Sequence, residues 1–325
     1  MTDEHLFELG SWAGDATRPG RHTISPAELV AGLSRRDRER RVRALVDQAH
    51  EIVDEALHTH FVAHELTASC LMWSGGNDSN VLAHLMRGRV SHAVHANTGI
   101  GIEATRQHVR DTCRQWKLPL IEKAPAEKDS YERFVLAHGF PGPGQHDRMF
   151  QRLKERTFDA VRRRFNTDPR RQRVLFLAGR RREESRRRGG NAVAGIAPLA
   201  NWTKLDLNTY RAMHPDVPRN EVADLLHMSG ECLCGSFAQR GELAHLRTFY
   251  PEVAAYLDDL GRRALANGVP PRRCEWGWGW NRTARSRTSG TASLSRLCGS
   301  CQRTGQFSFR QMPDRHATPS RRTPS

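Results

Sequence analysis

Four short apolar runs alternate with stretches of helical spacing through the middle of the chain. The runs are ELTASCLMW at 65–73, VSHAVHANTG at 90–99, LPLIEKA at 118–124 and RVLFLAG at 173–179. Helical spacing is found at 80–87, 103–116, 131–138 and 146–165. Strands that alternate with helices are typical of crossover units. Strands whose residues are apolar on both faces are typical of a parallel sheet. The pattern therefore predicts an α/β fold, a parallel sheet with helices on both faces.

The regions on either side of this core differ from it in pattern. Apolar spacing from Leu29 to Leu57 after the Ser25-Pro26 start predicts N-terminal helices, preceded by a loose arm over 1–25. The pattern predicts short helices after about residue 199 and a disordered basic tail at 306–325. We therefore divide the chain into an N-terminal part (1–65), a sheet domain (66–230), a cysteine-rich module (231–305) and a tail (306–325).

The charge balance favours a polyanionic partner. The 325 residues include 51 Lys and Arg against 36 Asp and Glu, which gives a net charge of +15. Such a balance supports binding to nucleic acid, DNA or RNA, although an arginine-rich solvated surface has the same composition. No secretory segment or apolar run of membrane-spanning length is visible, so we expect a cytoplasmic protein with no membrane partner. In that compartment, seven cysteines favour metal binding or catalysis over disulfides.

The chemistry begins at the end of the first predicted strand, where SGGNDS occupies 74–79 and a helical pattern follows. Gly75 and Gly76 allow close approach of the backbone to an anion, and a helix N-terminus attracts one. Ser74 and Ser79 add hydroxyl groups, and Asp78 is suited to hold a Mg²⁺ ion that bridges phosphates. The alternative is an ordinary turn in which Ser or Asp caps the helix.

This loop resembles the PP-loop of the adenine nucleotide α-hydrolase superfamily, which includes ATP pyrophosphatases and phosphoadenosine phosphosulfate (PAPS) reductase-like proteins. The resemblance implies that Asn77 also belongs to the phosphate loop and that the fold is of the HUP type. HANTGIGIEAT is similar to the DTG…ET stretch of the PAPS reductase-like proteins, with Asn97 at the position of the usual acid. Asn97, Thr98 and Gly99 are accordingly expected near the nucleotide, with Glu103 opening the next helix.

Two further segments carry the same resemblance. LAGRRREESRRRGG after the fourth strand resembles the family's G-x-R-x-x-E-S-x-R segment, and PLANWTKLDLNTY resembles a later P…dW…di..Y segment. The first implies site residues at Gly179, Arg181, Glu184, Ser185 and Arg187. Guanidinium groups pair with phosphate or sulfate oxygens in two-point contacts, so Arg181 and Arg187 are expected to clamp an oxyanion.

The complete loop favours a particular branch of the superfamily. ATP-cleaving members carry Ser-Gly-Gly-x-Asp-Ser, whereas sulfonucleotide reductases more often carry a degenerate form. The resemblance therefore implies cleavage of ATP to AMP and pyrophosphate, which activates an acceptor for sulfur transfer. The expected acceptor is DNA or tRNA, with a sulfur-donor protein as a possible partner. Two alternatives stay open: a reductase acting on PAPS or APS, and a non-catalytic protein that binds nucleotide or nucleic acid.

The cysteines fall into two classes. Cys70 and Cys113 lie in apolar patterns and are expected to be packed. Two tight pairs, in ECLCG and LCGSC, predict a four-thiolate site for zinc or an iron–sulfur cluster with the ligand set Cys232, Cys234, Cys298 and Cys301. Cys274 is the candidate to replace one ligand or to serve as a nucleophile. Three tryptophans are expected to pack over this site: Trp276, Trp278 and Trp280. GECLCGSF also begins like the reductases' E-C-G-L-H, which supplies their nucleophilic cysteine, but departs from it at once.

Overall fold

A computed structural model describes residues 26–182, 195–239 and 241–279. The predicted arm at 1–25 and the basic tail at 306–325 lie outside these residues. None of the helices in the three described ranges combines the length and apolar character needed to cross a membrane.

Four parallel strands form one sheet in the order β3-β2-β1-β4. Their bounds are β1 Glu65–Met72, β2 His92–Ala96, β3 Leu120–Lys123 and β4 Gln172–Ala178. The central position of β1 is fixed by its register, since Cys70 pairs with His92 on one side and with Phe176 on the other. The predicted parallel sheet is thus confirmed, and the carboxyl ends of β1, β2 and β4 meet at one edge.

The helices lie between and after the strands. Their bounds are α1 Pro26–Gly32, α2 Arg35–His60, α3 Asn77–Leu85, α4 Glu103–Trp116, α5 Tyr131–His138, α6 His146–Phe150, α7 Arg156–Phe165, α8 Lys204–Met213, α9 Glu221–Leu226, α10 Glu242–Phe249 and α11 Pro251–Ala266. The N-terminal helical pattern is divided because Ser34 caps α2, its hydroxyl accepting from the Asp37 amide. The predicted helix at 146–165 is divided because Gln151–Glu155 forms a π-helical turn.

Helices cover both faces of the sheet, as predicted. Successive residues of a strand point to opposite faces. Leu71 and Leu177 pack on one face with residues of α2, α3, α4 and α8, whereas Cys70 and Phe176 pack on the other against α7. Cys70 and Cys113 are both buried, and burial raises the pKa of each thiol to about 12. Both cysteines are therefore packed, as expected from the sequence.

A second apolar cluster lies beyond the sheet and contains the cysteine segment. It joins α5 with α9, α10 and α11, and it includes Leu233 and Cys234, with Cys232, Cys274 and Trp276 packed against it. The segment that follows the sheet domain is therefore part of a core and not an exposed loop.

A buried ion pair joins the N-terminal helix α2 to α8. The Arg41 Nε atom lies 3.1 Å from Asp206 Oδ1, and the two side chains are 1% and 0% exposed. The other oxygen of Asp206 accepts from the amide and the hydroxyl of Thr203, both at 2.8 Å, which completes a capping box at the start of α8. One carboxylate thus orients α8 and fixes α2 against it.

We predict that Asp206→Ala destabilises the protein strongly. Removing one partner of a buried pair leaves an uncompensated charge, which costs roughly 3–5 kcal/mol. Urea unfolding should show a fall of that size in the free energy of unfolding.

The matched control is Asp258→Ala, which breaks an exposed pair with Arg247 at 3.1 Å. Exposed pairs contribute at most about 1 kcal/mol, so this variant should unfold close to the wild-type midpoint. Equal losses in the two variants would contradict the role given to Asp206.

Candidate active site

The turn between β1 and α3 requires glycine at position 75, the first of its two glycines. Gly75 has φ +75°, and a Cβ atom there would lie 2.7 Å from Thr105 Cγ2. Its carbonyl oxygen accepts from the Asn220 side-chain amide at 2.9 Å and from the Asn80 amide at 3.3 Å. The turn is therefore fixed by a tight contact on one side and by two hydrogen bonds on the other.

The predicted phosphate-binding residues of this turn lie together at the start of α3. Ser74 Oγ and Ser79 Oγ are 3.2 Å apart, and Ser79 donates to the Gly76 carbonyl at 2.9 Å. Gly76 is the N-cap and has no side chain to accept from the first amides of the helix. Amides at a helix N-terminus that no side chain caps form an anion site. Asn77 is turned aside, because its amide donates to Asp224 at 3.2 Å.

Asp78 lies between two cations. Its carboxylate accepts from Arg181 Nε at 2.7 Å, and its other oxygen is 3.7 Å from Lys204 Nζ. Gly179 allows this approach of the end of β4, since a Cβ there would lie 3.0 Å from the Asp78 carbonyl. The structure thus brings together residues predicted from two separate segments, Asp78 from the loop and Gly179 and Arg181 from the end of the fourth strand.

Lys204 is a residue of this site that the sequence interpretation missed. It is the first residue of α8, after the Thr203 cap. The positive end of the helix dipole disfavours a cation at that position. The available signal was a lysine directly after a threonine of capping type, inside the PLANWTKLDLNTY segment that carries the resemblance.

Asn97 and Gly99 form the turn at the end of β2. The Asn97 amide donates to Glu122 Oε1 at 2.9 Å, and its oxygen accepts from the Gly99 amide at 3.0 Å. Arg110 hydrogen bonds hold the pKa of Glu122 below its usual value, with a smaller effect from Asn97. An aspartate at 97 would place two carboxylates in contact. The ionised Glu122 therefore favours an amide over an acid at position 97.

Glu231 links the end of β2 to the cysteine segment. Its Oε1 atom accepts from the Thr98 amide at 2.8 Å, and its carbonyl accepts from the Thr98 hydroxyl at 2.5 Å. Its Oε2 atom lies 2.9 Å from His95 Nε2, and both side chains are 1% exposed. His95 Nδ1 donates to the Trp73 carbonyl at 2.7 Å. A buried contact between His95 and Glu231 therefore connects the ends of β1 and β2 with the residue before Cys232.

Cys232 and Cys234 share a hydrogen bond. It lowers the pKa of Cys234 to about 5 and raises that of Cys232 well above the usual thiol value. The Cys234 thiol also contacts Ser236 Oγ at 3.4 Å. The pair therefore holds one thiolate readily, and thiolate is the form that ligates metals.

The other predicted members of the cysteine site are separate or lie outside the described residues. The Cys274 thiol contacts the carbonyls of Val269 and Pro270, each at 3.5 Å. Within the ranges that the structure describes, no three His, Cys, Asp or Glu side chains meet as a metal site. Cys298 and Cys301 lie outside those ranges, as do Glu184, Ser185, Arg187 and Trp280.

The tryptophans of this region pack, as expected. Trp276 Nε1 donates to the carbonyl of Leu233, the residue between the two cysteines, at 2.8 Å. Trp278 Nε1 donates to the Phe140 carbonyl at 2.6 Å. Trp276 thus holds the segment with Cys232 and Cys234 in place, and Trp278 holds its own segment against Phe140.

We predict that His95 and Glu231 are energetically coupled. In a double-mutant cycle of His95→Gln and Glu231→Gln, the two losses of unfolding free energy should depart from additivity by about 1–3 kcal/mol, because the partners are in contact and buried. Urea unfolding of the four proteins gives the coupling energy. A cycle of Glu231→Gln with Asp258→Ala is the control for distant sites. Additivity within about 0.5 kcal/mol in the first cycle would contradict the pair.

Solved structures that match the chain include three of low sequence identity. They are PAPS reductase from Candida auris in a phosphate complex (20% identity, TM-score 0.39, 60% of this chain and 93% of that chain), NMN synthetase from Francisella tularensis (16%, 0.44, 81% and 99%) and the U34-tRNA thiolase of Methanococcus maripaludis with its [4Fe-4S] cluster (14%, 0.37, 82% and 89%). No curated protein matches the chain. At these TM-scores the structures carry no conclusion about function.

The sequence model of the phosphoadenosine phosphosulfate reductase domain matches residues 68–225. The match covers the sheet, the loop at 74–79, the turn at 97–99, the end of β4 and the segment that contains Lys204 and Asn220. Over residues 68–225 the chain therefore matches the PAPS reductase domain family of the PP-loop adenine nucleotide α-hydrolase superfamily.

Proposed function

We propose that this protein binds ATP at the carboxyl edge of the sheet and cleaves it to AMP and pyrophosphate, activating an acceptor for sulfur transfer. The observation that carries the proposal is the surroundings of Asp78. A complete Ser-Gly-Gly-x-Asp-Ser loop opens α3, and its carboxylate lies 2.7 Å from Arg181 and 3.7 Å from Lys204. Uncapped helix amides and two cations suit phosphates, and the carboxylate suits a bridging cation.

The proposed reaction has two steps. A carbonyl or amide oxygen of the acceptor attacks the α-phosphorus, the bond to the bridging oxygen breaks, and pyrophosphate leaves with the electron pair. A sulfur nucleophile then adds to the acceptor carbon. AMP leaves and carries away the oxygen that belonged to the acceptor. Arg181 and Lys204 would neutralise the charge that grows on the departing pyrophosphate. Arg187 is proposed to assist them, with Gly179, Glu184 and Ser185 forming the neighbouring wall of the nucleotide site.

Mg²⁺ fits this donor set. It is usually held by one or two carboxylates together with substrate phosphates and waters. Asp78 is the one carboxylate of the loop, and no group of three potential ligands is found among the described residues. A bound Mg²⁺ would supply charge neutralisation on the phosphate oxygens. The contribution of the chain is to hold Asp78 at the start of α3, where Arg181 and Gly179 fix its position.

The proposed acceptor is a nucleic acid, DNA or tRNA, and a separate protein would donate the sulfur. The net charge of +15 supports the first part, because an excess of Lys and Arg favours polyanions. We also propose that Cys232 and Cys234, with Cys298 and Cys301, hold zinc or an iron–sulfur cluster. The lowered pKa of Cys234 supports a thiolate at that position.

A sulfonucleotide reductase is the second candidate, and one contact favours it. Glu231 is bonded to Thr98 at the predicted nucleotide turn, and Cys232 follows it directly. In that reaction a cysteine thiolate attacks the sulfur of PAPS or APS, the nucleotide leaves, and a dithiol protein such as thioredoxin reduces the resulting cysteine S-sulfonate. The hydrogen bond between Cys232 and Cys234 weighs against it, since it raises the pKa of Cys232 and disfavours its thiolate.

We expect Asp78→Asn to abolish Mg²⁺-dependent pyrophosphate release, with a loss of at least about a hundredfold, because an amide no longer holds the cation that stabilises the departing charge. Pyrophosphate release from ATP, measured with and without DNA or tRNA, gives the rate. Melting curves check that Arg181 is tolerated beside an amide.

The control for that experiment is Asp258→Asn, which changes an exposed carboxylate of α11 and should leave the rate unchanged. Wild-type rates in the Asp78 variant would contradict the proposal. Loss of activity on PAPS in Cys232→Ser, with no pyrophosphate release from ATP in the wild type, would favour the reductase.

We further predict that Cys232→Ser and Cys234→Ser each lose the bound metal after purification without oxygen, whereas Cys274→Ser keeps it. The difference is expected because the Cys274 thiol contacts the carbonyls of Val269 and Pro270 and lies in no three-ligand group among the described residues. Metal and sulfide analysis of the three variants checks this. Unchanged metal content in the first two would contradict the ligand set.

A further inference from the structure

A cavity of about 460 Å³ lies between α4, Arg87 just after α3, and the segment 216–219. This volume is within the range of small-molecule sites, roughly 300–1,000 Å³. One wall is a face of α4 formed by His108, Thr112, Gln115 and Trp116, whose spacing places them on adjacent turns. We propose that this cavity is a second ligand site, separate from the loop at 74–79, and that it binds a phosphate ester of nucleotide size.

Two arginines give the cavity its affinity for an anion. Arg87 and Arg219 line it, and neither forms an ion pair with another described residue. Arg219 is near Asp224, but the oxygens of Asp224 are already bonded by Arg211 at 2.8 Å and by Asn77. Among the described residues, most other arginines that lie near an acidic side chain form an ion pair with it, as Arg211 does with Asp224. These two guanidinium groups are therefore available to a phosphate.

The position of Arg87 is set before a ligand arrives. The Arg87 guanidinium stacks over the Trp116 ring, 4.7 Å from its centroid. Trp116 itself rests on the buried Trp73, with ring centroids 5.6 Å apart. The acid of the cavity, Asp216, is engaged by His84 Nε2 at 2.9 Å. A ligand phosphate would thus meet a stacked arginine, and one oxygen of the single lining carboxylate is already bonded to His84.

The wall between the arginines offers neutral hydrogen-bonding groups. Burial lowers the pKa of His108, so its imidazole is neutral at neutral pH. Its Nε2 atom lies 3.3 Å from Asn80 Oδ1, which also accepts from Trp73 Nε1 at 2.8 Å. Nε2 is therefore the donor, and Nδ1 is an acceptor. Together with the Gln115 amide this suits the hydroxyls of a sugar, which is why we assign a nucleotide-sized ester and not a bare phosphate ion.

Hydrogen bonds connect the lining of the cavity to the phosphate loop. Asn80, the partner of His108, donates to the Gly75 carbonyl, and Asn220, the neighbour of Arg219, donates to the same oxygen. A ligand bound between His108 and Arg219 would therefore lie directly behind the two amides that fix the loop. The same chemistry is found in a free mononucleotide and in one nucleotide unit of a nucleic acid strand, and the experiment separates these sources.

The test compares the double variant Arg87→Ala/Arg219→Ala with the double variant Arg163→Ala/Arg170→Ala, both in the full chain. Arg163 and Arg170 are also exposed, and they lie on and just after α7, which packs on the opposite face of the sheet. AMP is titrated by calorimetry, and a labelled short oligodeoxythymidylate is titrated by fluorescence anisotropy. Neither measurement requires ATP cleavage, so failure of the proposed reaction does not affect the result.

We expect the Arg87/Arg219 variant to lose one AMP binding event, or to lose oligonucleotide affinity by about tenfold more than the control, since charge-assisted hydrogen bonds are removed. The first result identifies a free nucleotide as the ligand, and the second identifies a nucleic acid strand. The single variant Arg219→Ala, which leaves the stacked Arg87 in place, should show part of the same loss. Equal binding of both probes by the two double variants would overturn the proposal.

Discussion

The turn at Gly75 is the constraint on which the candidate site depends. The central strand β1 must pass into α3 so that the first turn of the helix faces the open carboxyl edge of the sheet. The positive φ of Gly75 makes that reversal possible, and the contact with Thr105 excludes a side chain at position 75. Two amides from distant parts of the chain, Asn80 and Asn220, then fix the Gly75 carbonyl. The geometry of the proposed anion site is thus present before any ligand binds, which reduces the cost of ordering it.

The charges around this turn are held by the rest of the fold. Arg181 reaches Asp78 because β4 lies beside β1 and ends in Gly179. Lys204 reaches it because the Arg41–Asp206 pair and the capping box orient α8. On the other side of β1, Glu231 connects the end of β2 to the cysteine segment by hydrogen bonds with Thr98 and by a contact with His95. Buried charge pairs of this kind contribute little net stability compared with apolar packing, but they define which elements meet.

Structural features that depend only on neighbouring residues could be predicted from the sequence. The helix at 103–116 and the helix at 131–138 have the predicted bounds, because an apolar stripe and an acidic first turn occur within one segment. The first turn of α3 was missed because Asn77, Asp78 and Ser79 are polar, and the pattern begins only at Asn80. His95 and Glu231 could not be predicted, since their partners are distant in sequence: Glu231 and Thr98 are separated by 133 positions. The π-helical turn at Gln151–Glu155 leaves no mark in the apolar spacing.

The most direct measurement is the identity of the products formed from ATP labelled at the α-phosphate, with Mg²⁺ and with DNA or tRNA present. Cleavage at the α-phosphorus, as Asp78, Arg181 and Lys204 are arranged to support, predicts AMP and pyrophosphate in equal amounts. ADP and phosphate, or intact ATP together with tight binding of PAPS, would contradict that reaction.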